Sequence, residues 1–193
     1  MINNNEGYLH LILGPMFAGK STKLFNIINN IKKNESFLII KHISDQRYNS
    51  NLTTIITHDK KTMDCISLDK LLNIFNNQKY INSKYIFIDE GQFFSDINKF
   101  IEVALERDKK NIYITGLNGD SNRKPFYNIS KLISIADKVD ILHSKCNYCS
   151  ENKGIFTLRD ASKNKQKKIL VGDDKIYKSV CRKHFIQYNI TNN

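Results

Sequence analysis

The chain has 193 residues, of which 40% are hydrophobic, and a formal net charge of +11. This length is enough for one full hydrophobic core and one small appended unit. No stretch approaches the roughly 18 apolar residues that a membrane span needs, and the start, MINNNEGYLH, has neither the basic nor the apolar region of a signal peptide. We therefore expect a soluble, cytoplasmic protein with no membrane partner.

The positive charge does not by itself indicate a nucleic-acid partner. Lysines are spread along the whole chain together with many Asn and Ile residues, which is typical of a coding bias toward AT-rich codons. The sequence has no arginine-rich helix and no alternation of aromatic and basic residues that would indicate a recognition module. We expect no dedicated binding of nucleic acid.

A phosphate-binding motif lies near the start of the chain. An apolar run, Leu9 to Leu13, ends at Gly14, and Gly14-x-x-x-x-Gly19-Lys20-Ser21 follows at P-loop spacing before a helix-like segment. In the order strand, loop, helix, backbone N–H groups and the positive end of the helix dipole converge on an anion. Lys20 would then reach the β- and γ-phosphates of a nucleotide, and the Ser21 hydroxyl would bind Mg²⁺. The alternative is a loop that only happens to contain two glycines and a lysine.

Short apolar runs and helical patterns alternate along the following segment. The runs 37–41 (FLIIK), 85–88 (YIFI) and 111–115 (NIYIT) predict buried strands, and helical spacing predicts helices over 22–33, 68–75 and 97–105. Polar segments at 45–48 and 57–59 predict loops. The alternation has the spacing of βαβ units, so we expect an α/β fold, an open parallel sheet with helices on both faces.

Two acidic residues follow the predicted strand 85–88. An apolar strand that ends in Asp is the Walker B form, in which Asp89 would hold Mg²⁺ at the carboxyl edge of the sheet. Glu90, one residue on, is free to act on a second molecule, because a carboxylate beside the γ-phosphate can accept the proton of an attacking hydroxyl. The alternative is a solvated acidic pair. Phe93 and Phe94 follow, and they fit either the core or the face of a planar base.

The composition changes at about residue 142, and three of the four cysteines lie beyond it. Cys146-x-x-Cys149 and Cys181-x-x-His184 form two pairs separated by a lysine-rich insert, which is the form of a zinc ribbon or knuckle. A Cys₃His set leaves no position for water, so the zinc would be structural. The alternative is a group of reduced thiols without metal. We expect the remaining cysteine, Cys65, to be a small buried hydrophobic side chain.

Several motifs are spread along the chain and together carry a resemblance. They are Gly14-Pro-Met-Phe-Ala-Gly-Lys-Ser-Thr22, Asp45-x-Arg47-Tyr48, Thr57-His58-Asp59, Asp89-Glu-Gly-Gln-Phe-Phe94, Arg123-Lys-Pro-Phe126 and Val180-Cys-Arg182. From about Tyr8 to His184 the chain resembles the type II thymidine kinase family, the cellular and poxviral type. The first and fourth motifs are distinctive of that family and go beyond a generic P-loop.

The resemblance implies a P-loop nucleoside kinase domain, residues 1–141, and a zinc-binding domain, residues 142–193, with a lasso that folds over the nucleoside. It implies transfer of the γ-phosphoryl group of ATP to the 5′-hydroxyl of thymidine, usually by a homotetramer, with Mg²⁺ and structural Zn²⁺. By the same resemblance Glu90 is the general base, and Arg159 is a basic residue near the reacting centre.

The resemblance also implies the remaining site residues. The nucleotide and Mg²⁺ region comprises Gly14, Pro15, Met16, Phe17, Ala18, Gly19, Lys20, Ser21, Thr22, Asp45, Arg47, Asp89 and Gln92. The nucleoside pocket comprises Phe93, Ser121, Phe126, Thr157, Arg159, Lys168, Ile169, Leu170, Val171, Gly172 and Tyr177, and the zinc ligands are Cys146, Cys149, Cys181 and His184.

Two positions depart from the pattern of the family. Ser121 stands where the family has an aromatic residue that packs on the substrate, and Asp173 replaces a second glycine after Gly172. These departures leave the reaction class unchanged and bear on base selectivity and affinity.

We therefore expect an ATP-dependent thymidine kinase. One alternative is an ATP-dependent nucleic-acid-binding protein that uses the zinc ribbon and the positive charge, and another is a catalytically silent nucleotide-binding regulator. Glu90 argues against the silent protein, and Gly172 and Tyr177 argue against a bare ribbon. Phosphorylation of a free nucleoside in the absence of nucleic acid would distinguish the three.

Overall fold

A computed structural model describes residues 6–31, 35–45, 53–56, 62–149, 151–160 and 176–192. Several residues of the predicted site lie outside these ranges, so their geometry does not enter the description. They are Arg47, the motif Thr57 to Asp59, the segment Lys168 to Gly172 and Asp173.

The described residues form the following strands and helices. The strands are β1 (Tyr8–Gly14), β2 (Phe37–His42), β3 (Thr54–Ile56), β4 (Thr62–Asp64), β5 (Ile66–Leu68), β6 (Tyr85–Ile88), β7 (Asn111–Leu117), β8 (Lys138–Ile141), β9 (Ser144–Lys145), β10 (Lys153–Gly154), β11 (Phe156–Arg159) and β12 (Tyr177–Val180). The α-helices are α1 (Lys20–Asn29), α2 (Gln78–Asn82), α3 (Ile97–Glu106), α4 (Tyr127–Leu132) and α5 (Arg182–Asn192), with 3₁₀ turns at Leu71–Ile74, Gly91–Phe93 and Ile133–Ile135.

Six strands form a parallel sheet in the order β5-β2-β6-β7-β1-β8. The central strands are apolar and almost fully buried, as expected when a parallel sheet is covered on both faces. Because every ladder is parallel, the carboxyl ends of all six strands lie at one edge of the sheet. The phosphate motif follows β1 and the acidic pair follows β6, so this edge brings them to the same side of the molecule.

Helices cover both faces of the sheet, which confirms the predicted α/β arrangement. On one face, Leu9 and Leu11 of β1 pack with α3 and α4, where the buried positions of α3 follow helical spacing. On the other face, Ile12 packs with Leu24 and Phe25 of α1. The alternation of side chains along β1 divides the apolar core into these two layers.

The sheet contains two strands that the sequence analysis missed. The segment 68–75, predicted as a helix, contains only the 3₁₀ turn Leu71–Ile74, and β5 precedes it and pairs with β2. β8 pairs with β1 at the opposite edge of the sheet. Both are short edge strands whose residues are at most half-buried, so neither produces the continuous apolar run that predicts a central strand.

The strands β9 to β12 and helix α5 form what we call the C-terminal module. β9 pairs with β10 and β11 pairs with β12, in both cases antiparallel. The module has its own apolar cluster of Cys146, Leu158, Val180, Cys181 and Phe185. It begins just after β8, close to the change of composition in the sequence.

Candidate active site

The phosphate motif forms a loop between β1 and the first turn of α1. Gly19 has φ 79°, a left-handed conformation that side chains other than glycine rarely adopt, and α1 begins at the next residue. The buried Lys20 side chain folds back along the loop, and its Nζ donates to the carbonyl of Pro15 at 2.8 Å. The loop therefore combines a buried cation with the first N–H groups of a helix, the arrangement that binds phosphate.

Asp89 lies beside the phosphate loop although its strand does not touch β1. β7 separates β6 from β1, and Thr115 of β7 donates its hydroxyl hydrogen bond to Asp89 Oδ1. Ser21 Oγ lies 3.1 Å from Asp89 Oδ1 and 3.2 Å from Oδ2. Asp89 is only 2% exposed. A buried carboxylate next to the hydroxyl of the phosphate loop is a set of oxygen donors that fits Mg²⁺.

Glu90 follows Asp89 but contacts different partners. Its φ is 52°, in the left-handed region, and its backbone N–H donates to Thr115 Oγ1 at 3.2 Å. Its side chain is also buried, and Glu90 Oε2 accepts a hydrogen bond of 2.5 Å from Gln92 Nε2. A left-handed conformation in a non-glycine residue is strained, and such residues cluster at functional sites. The turn therefore directs two adjacent carboxylates to different partners.

Both the nitrogen and the oxygen of the Gln92 side-chain amide form hydrogen bonds. Its Nε2 donates to Glu90, and its Oε1 accepts a hydrogen bond from the backbone N–H of Leu117 at 3.1 Å. Gln92 therefore fixes the Glu90 carboxylate against the end of β7. Gly91, between them, is packed so closely that a Cβ would lie 2.6 Å from Cγ2 of Ile114, which explains the glycine in this motif.

The two aromatic residues of the motif have different surroundings. Phe94 is fully buried in the core, whereas Phe93 is half-buried. The ring of His42, at the end of β2, lies 4.9 Å from the centroid of Phe94 and 5.8 Å from that of Phe93. Burial lowers the pKa of His42. The sequence analysis did not single out His42, and Asp45, which it did, is buried nearby with its N–H on the His42 carbonyl at 2.9 Å.

The segment between β7 and α4 is a tight turn. Asp120 Oδ1 accepts hydrogen bonds from the backbone N–H groups of Asn122 at 2.9 Å and Lys124 at 2.7 Å. Ser121 is half-buried at this turn, and the half-buried Phe126 packs against the main core as α4 begins. This turn lies at the carboxyl edge of the sheet, on the same side as Glu90.

The C-terminal module contacts the phosphate loop directly. The backbone N–H of Met16 donates to Thr157 Oγ1 at 3.1 Å. Thr157 and Arg159 belong to β11, and Arg159 pairs with Tyr177 across the hairpin. Thr157 and Tyr177 are buried. Three of the predicted nucleoside residues therefore belong to one hairpin, and that hairpin is anchored beside the phosphate loop.

The four predicted zinc ligands come together in the C-terminal module. One ligand atom from each of Cys146, Cys149, Cys181 and His184 lies within 4.8 Å of the others. His184 Nδ1 is 3.4 Å from Cys146 Sγ and 3.3 Å from Cys181 Sγ. A tetrahedral zinc site has S···N edges of about 3.6 Å, so these distances fit.

The environment of the thiols also suits a metal. Burial raises the pKa of the Cys146 thiol, but backbone hydrogen bonds at Cys181, Tyr148 and Cys149 outweigh this effect, and the pKa falls to about 7. A thiol with this pKa gives up its proton readily, and a metal ligand must do so. The geometry brings the four predicted ligands to one point, as a zinc site requires.

The fold and the strand–loop–helix motif define this chain as an α/β protein of the P-loop class, with a Cys₃His cluster in its C-terminal module. A family model described as thymidine kinase matches residues 7–185. The chain therefore belongs to the thymidine kinase family.

Individual relatives agree with the family model over most of their length. The chain is 39% identical over 181 residues to the thymidine kinase of Rabbit fibroma virus, covering 92% of this chain and 95% of the relative. It is 36% identical to thymidine kinase a of Arabidopsis thaliana, covering 96% of this chain and 77% of the relative. It is 34% identical to the thymidine kinase of Vaccinia virus, covering 94% and 98%. In the part of the chain that the structure describes, none of the helices has the length and apolar character needed to cross a membrane.

Proposed function

We propose that this protein transfers the γ-phosphoryl group of ATP to the 5′-hydroxyl of thymidine and produces dTMP. The observation that carries the proposal is the pairing of Asp89 with Ser21 of the phosphate loop, one residue before a buried Glu90 held by Gln92. The names of the relatives supply the substrate. The proposal is supported by a loop of P-loop form beside Asp89 and by a second buried carboxylate, Glu90, with different partners.

The phosphate loop and the start of α1 would bind the phosphates of ATP. The groups we assign to this task are residues 14–22, with Asp45 and Arg47 completing the nucleotide region. Lys20 must leave the Pro15 carbonyl to contact the β- and γ-phosphates. When bound, Mg²⁺ supplies charge stabilisation at the phosphates, and Ser21 and Asp89 are the residues that would hold it.

Glu90 would act as the general base. Its carboxylate accepts the proton of the 5′-hydroxyl, the freed oxygen forms a bond to the γ-phosphorus, and the bond to the leaving ADP oxygen breaks. Gln92 holds the carboxylate through the hydrogen bond to Oε2 and thereby fixes the direction of proton transfer. Positioning of this kind accounts for much of the rate in phosphoryl transfer, because the protein forms no covalent intermediate.

The nucleoside would lie between the sheet edge and the C-terminal module. The residues we assign to its pocket are Phe93, Ser121, Phe126, Thr157, Arg159, Tyr177 and the segment 168–172. Half-buried Phe93 offers a ring face to a planar base. Thr157 is anchored to the phosphate loop through Met16, so a base bound at the hairpin would lie close to the phosphate donor.

The finer properties of the protein are also proposals. We propose that the Cys₃His cluster holds a structural Zn²⁺, since all four positions of a tetrahedron are occupied by protein atoms. We propose a two-domain division at residues 141 and 142, a homotetramer, and a location in the cytoplasm, where reduced thiols persist. Sedimentation analysis of the purified protein tests the homotetramer.

A phosphorylation assay tests the proposed reaction. The full-length protein is incubated with γ-labelled ATP, Mg²⁺ and each of the four deoxynucleosides, with nucleic acid excluded. We expect labelled dTMP and weaker or no labelling of the other nucleosides. Lys20→Ala serves as the matched loss variant and should reduce labelling by about 10²-fold or more, because it removes charge from the transferring group. ATP hydrolysis only in the presence of nucleic acid, or nucleotide binding without turnover, would overturn the proposal.

A further inference from the structure

The side chain of Arg123 connects the turn between β7 and α4 to the C-terminal module. The guanidinium carbon of Arg123 lies 4.7 Å from the ring centroid of Phe185 and 5.7 Å from that of Phe156. These two rings pack on each other with centroids 5.2 Å apart. Arg123 therefore contacts a pair of tilted rings that belongs entirely to the module, whereas its own backbone lies in the turn that follows β7 of the sheet.

The backbone of Arg123 is held in a costly conformation. Its φ is 64°, in the left-handed region, where a long side chain is rare. The turn imposes this conformation, because Asp120 accepts hydrogen bonds from the N–H groups of both Asn122 and Lys124, and Arg123 N–H donates to the Asp120 carbonyl at 3.0 Å. Strain that neighbouring hydrogen bonds maintain is characteristic of positions with a specific task.

Each of the two rings is next in sequence to a residue of the candidate site. Phe185 follows His184, a member of the metal cluster, and Phe156 precedes Thr157, which accepts the hydrogen bond from Met16 of the phosphate loop. Arg123 therefore links the turn that carries Ser121 to the segment next to Thr157. Both Ser121 and Thr157 are residues that we assign to the nucleoside pocket.

We propose that Arg123 is a positioning residue that docks the C-terminal module against the turn 120–126 and so sets the width of the nucleoside pocket. This proposal rests on the proposed function for its kinetic consequence, but the docking itself is independent of the substrate. Arginine suits the task, because a planar guanidinium stacks on aromatic rings and stays charged, whereas lysine presents a compact ammonium.

The test uses Arg123→Asn in the full-length protein. Asparagine tolerates the left-handed conformation, so the turn is kept while the guanidinium is removed. We expect the KM for thymidine to rise about three- to tenfold, with kcat and the KM for ATP within about twofold. Amide exchange in β11 and β12 should accelerate by a similar factor, while the zinc content and the thermal midpoint stay at the wild-type values.

Two variants provide matched controls. Lys124→Asn removes one positive charge from the same turn, and Arg182→Gln removes the other guanidinium of this cluster, which lies 5.0 Å from Phe156 but belongs to the module itself. Both should retain the wild-type KM for thymidine. Arg123→Lys, which keeps the charge without the planar group, should show part of the increase.

The outcomes separate this proposal from the proposed function. Wild-type exchange rates and KM in Arg123→Asn, or an equal change in Lys124→Asn, would overturn the docking role. If the wild-type protein did not phosphorylate thymidine, the proposed function would fail, and the exchange rates of β11 and β12 would still decide whether Arg123 docks the module.

Discussion

The central sheet and the C-terminal module each contribute part of the site, but they are stabilised in different ways. The sheet lies between two layers of buried apolar side chains, one on each face. Among its described residues, the module has a cluster of five buried side chains, and two of them, Cys146 and Cys181, belong to the Cys₃His cluster. A small unit buries little apolar surface by itself, so the zinc that we propose for the cluster would supply part of its stability.

The polar groups of the two regions show the same difference. In the sheet, Asp89 and Glu90 are fixed by hydrogen bonds from Ser21, Thr115 and Gln92. In the module, three thiols and an imidazole gather around a common point, with His184 Nδ1 3.4 Å from Cys146 Sγ and 3.3 Å from Cys181 Sγ. The comparison teaches that protein hydrogen bonds hold the carboxylates, whereas we expect the strand that carries Thr157 to depend on the metal proposed for the cluster next to it.

The largest expected effect on kcat comes from removing the carboxylate of Glu90, the proposed base at the edge of the sheet. Glu90→Gln keeps the size of the side chain and an oxygen that can accept from Gln92, but it deletes the proton acceptor. Proton transfer to a positioned base contributes about 10²–10⁴-fold, so kcat should fall by that factor. ATP affinity should stay within a few-fold, because the phosphate loop is unchanged. Steady-state kinetics and ATP titration measure both quantities.

A surface carboxylate provides the control for this change. Glu102→Gln on α3 makes the same substitution at an exposed position and should leave kcat unaltered. Near-normal turnover of Glu90→Gln would show that another group takes the proton. The role we assign to Glu90 would then be wrong, even if the protein still phosphorylated thymidine.

A cysteine substitution in each region sharpens the comparison next. Cys149→Ser removes one ligand of the metal cluster, so zinc should be lost and amide exchange in the module should rise at least about tenfold, while the sheet stays protected. Cys65→Ser makes the same change beneath the sheet, where burial raises the pKa of the thiol to about 11. That variant should retain its zinc. Metal analysis and hydrogen exchange report both outcomes, and wild-type protein without zinc would contradict the assignment.

The sequence predicted those parts of the fold that depend on local pattern. Strand 85–88 and the start of α3 at Ile97 were predicted at their observed positions, because continuous apolar runs and helical spacing are local signals. β5 and β8 were missed, because an edge strand is defined by its partner more than by its own residues. The four predicted zinc ligands were singled out from their spacing, and the structure brings them together.

The contacts that position the site depend on tertiary structure and could not be predicted in the same way. Thr115 contacts Asp89 because β7 lies between β6 and β1, and strand order cannot be read from a motif. A polar residue at the end of the apolar run NIYIT was the available signal. The partners of Gln92 and His42 could not be read from the sequence, since Leu117 and Phe94 are brought to them by the order of the strands.

A smaller effect is expected at the turn between the two regions. Ser121 is half-buried where the family has an aromatic residue, so Ser121→Phe should add apolar contact worth on the order of 1 kcal/mol to nucleoside binding. The KM for thymidine should fall up to about fivefold with little change in kcat. Asn122→Phe, at the exposed neighbouring position, controls for a general gain in hydrophobicity. An unchanged or higher KM would mean that another side chain already fills the space.

The smallest effect concerns a polar cluster that supports the sheet edge. Asp140 of β8 lies 2.7 Å from His10 Nε2 and 2.7 Å from Lys23 Nζ. Burial raises the pKa of Asp140, but hydrogen bonds from Lys23 and His10 outweigh it and lower the pKa below its ordinary value. Burial lowers the pKa of His10, and the pairing with Asp140 opposes that shift. At pH 7.5, Asp140→Asn should therefore cost about 0.5–1 kcal/mol of the free energy of unfolding.

The cost of Asp140→Asn should grow as the pH falls. When folding lowers the pKa of a histidine, the protein loses stability as the pH falls below the ordinary pKa of about 6.5. The reason is that the unfolded chain binds the proton first. Without the carboxylate, nothing opposes the burial of His10, so its pKa falls further and the loss between pH 6.5 and 5 becomes larger. Urea unfolding at pH 7.5 and 5 should show a wider gap from wild type at pH 5, with no release of zinc at either pH. A gap that stays constant or narrows would mean that Asp140 stabilises the edge through Lys23 alone.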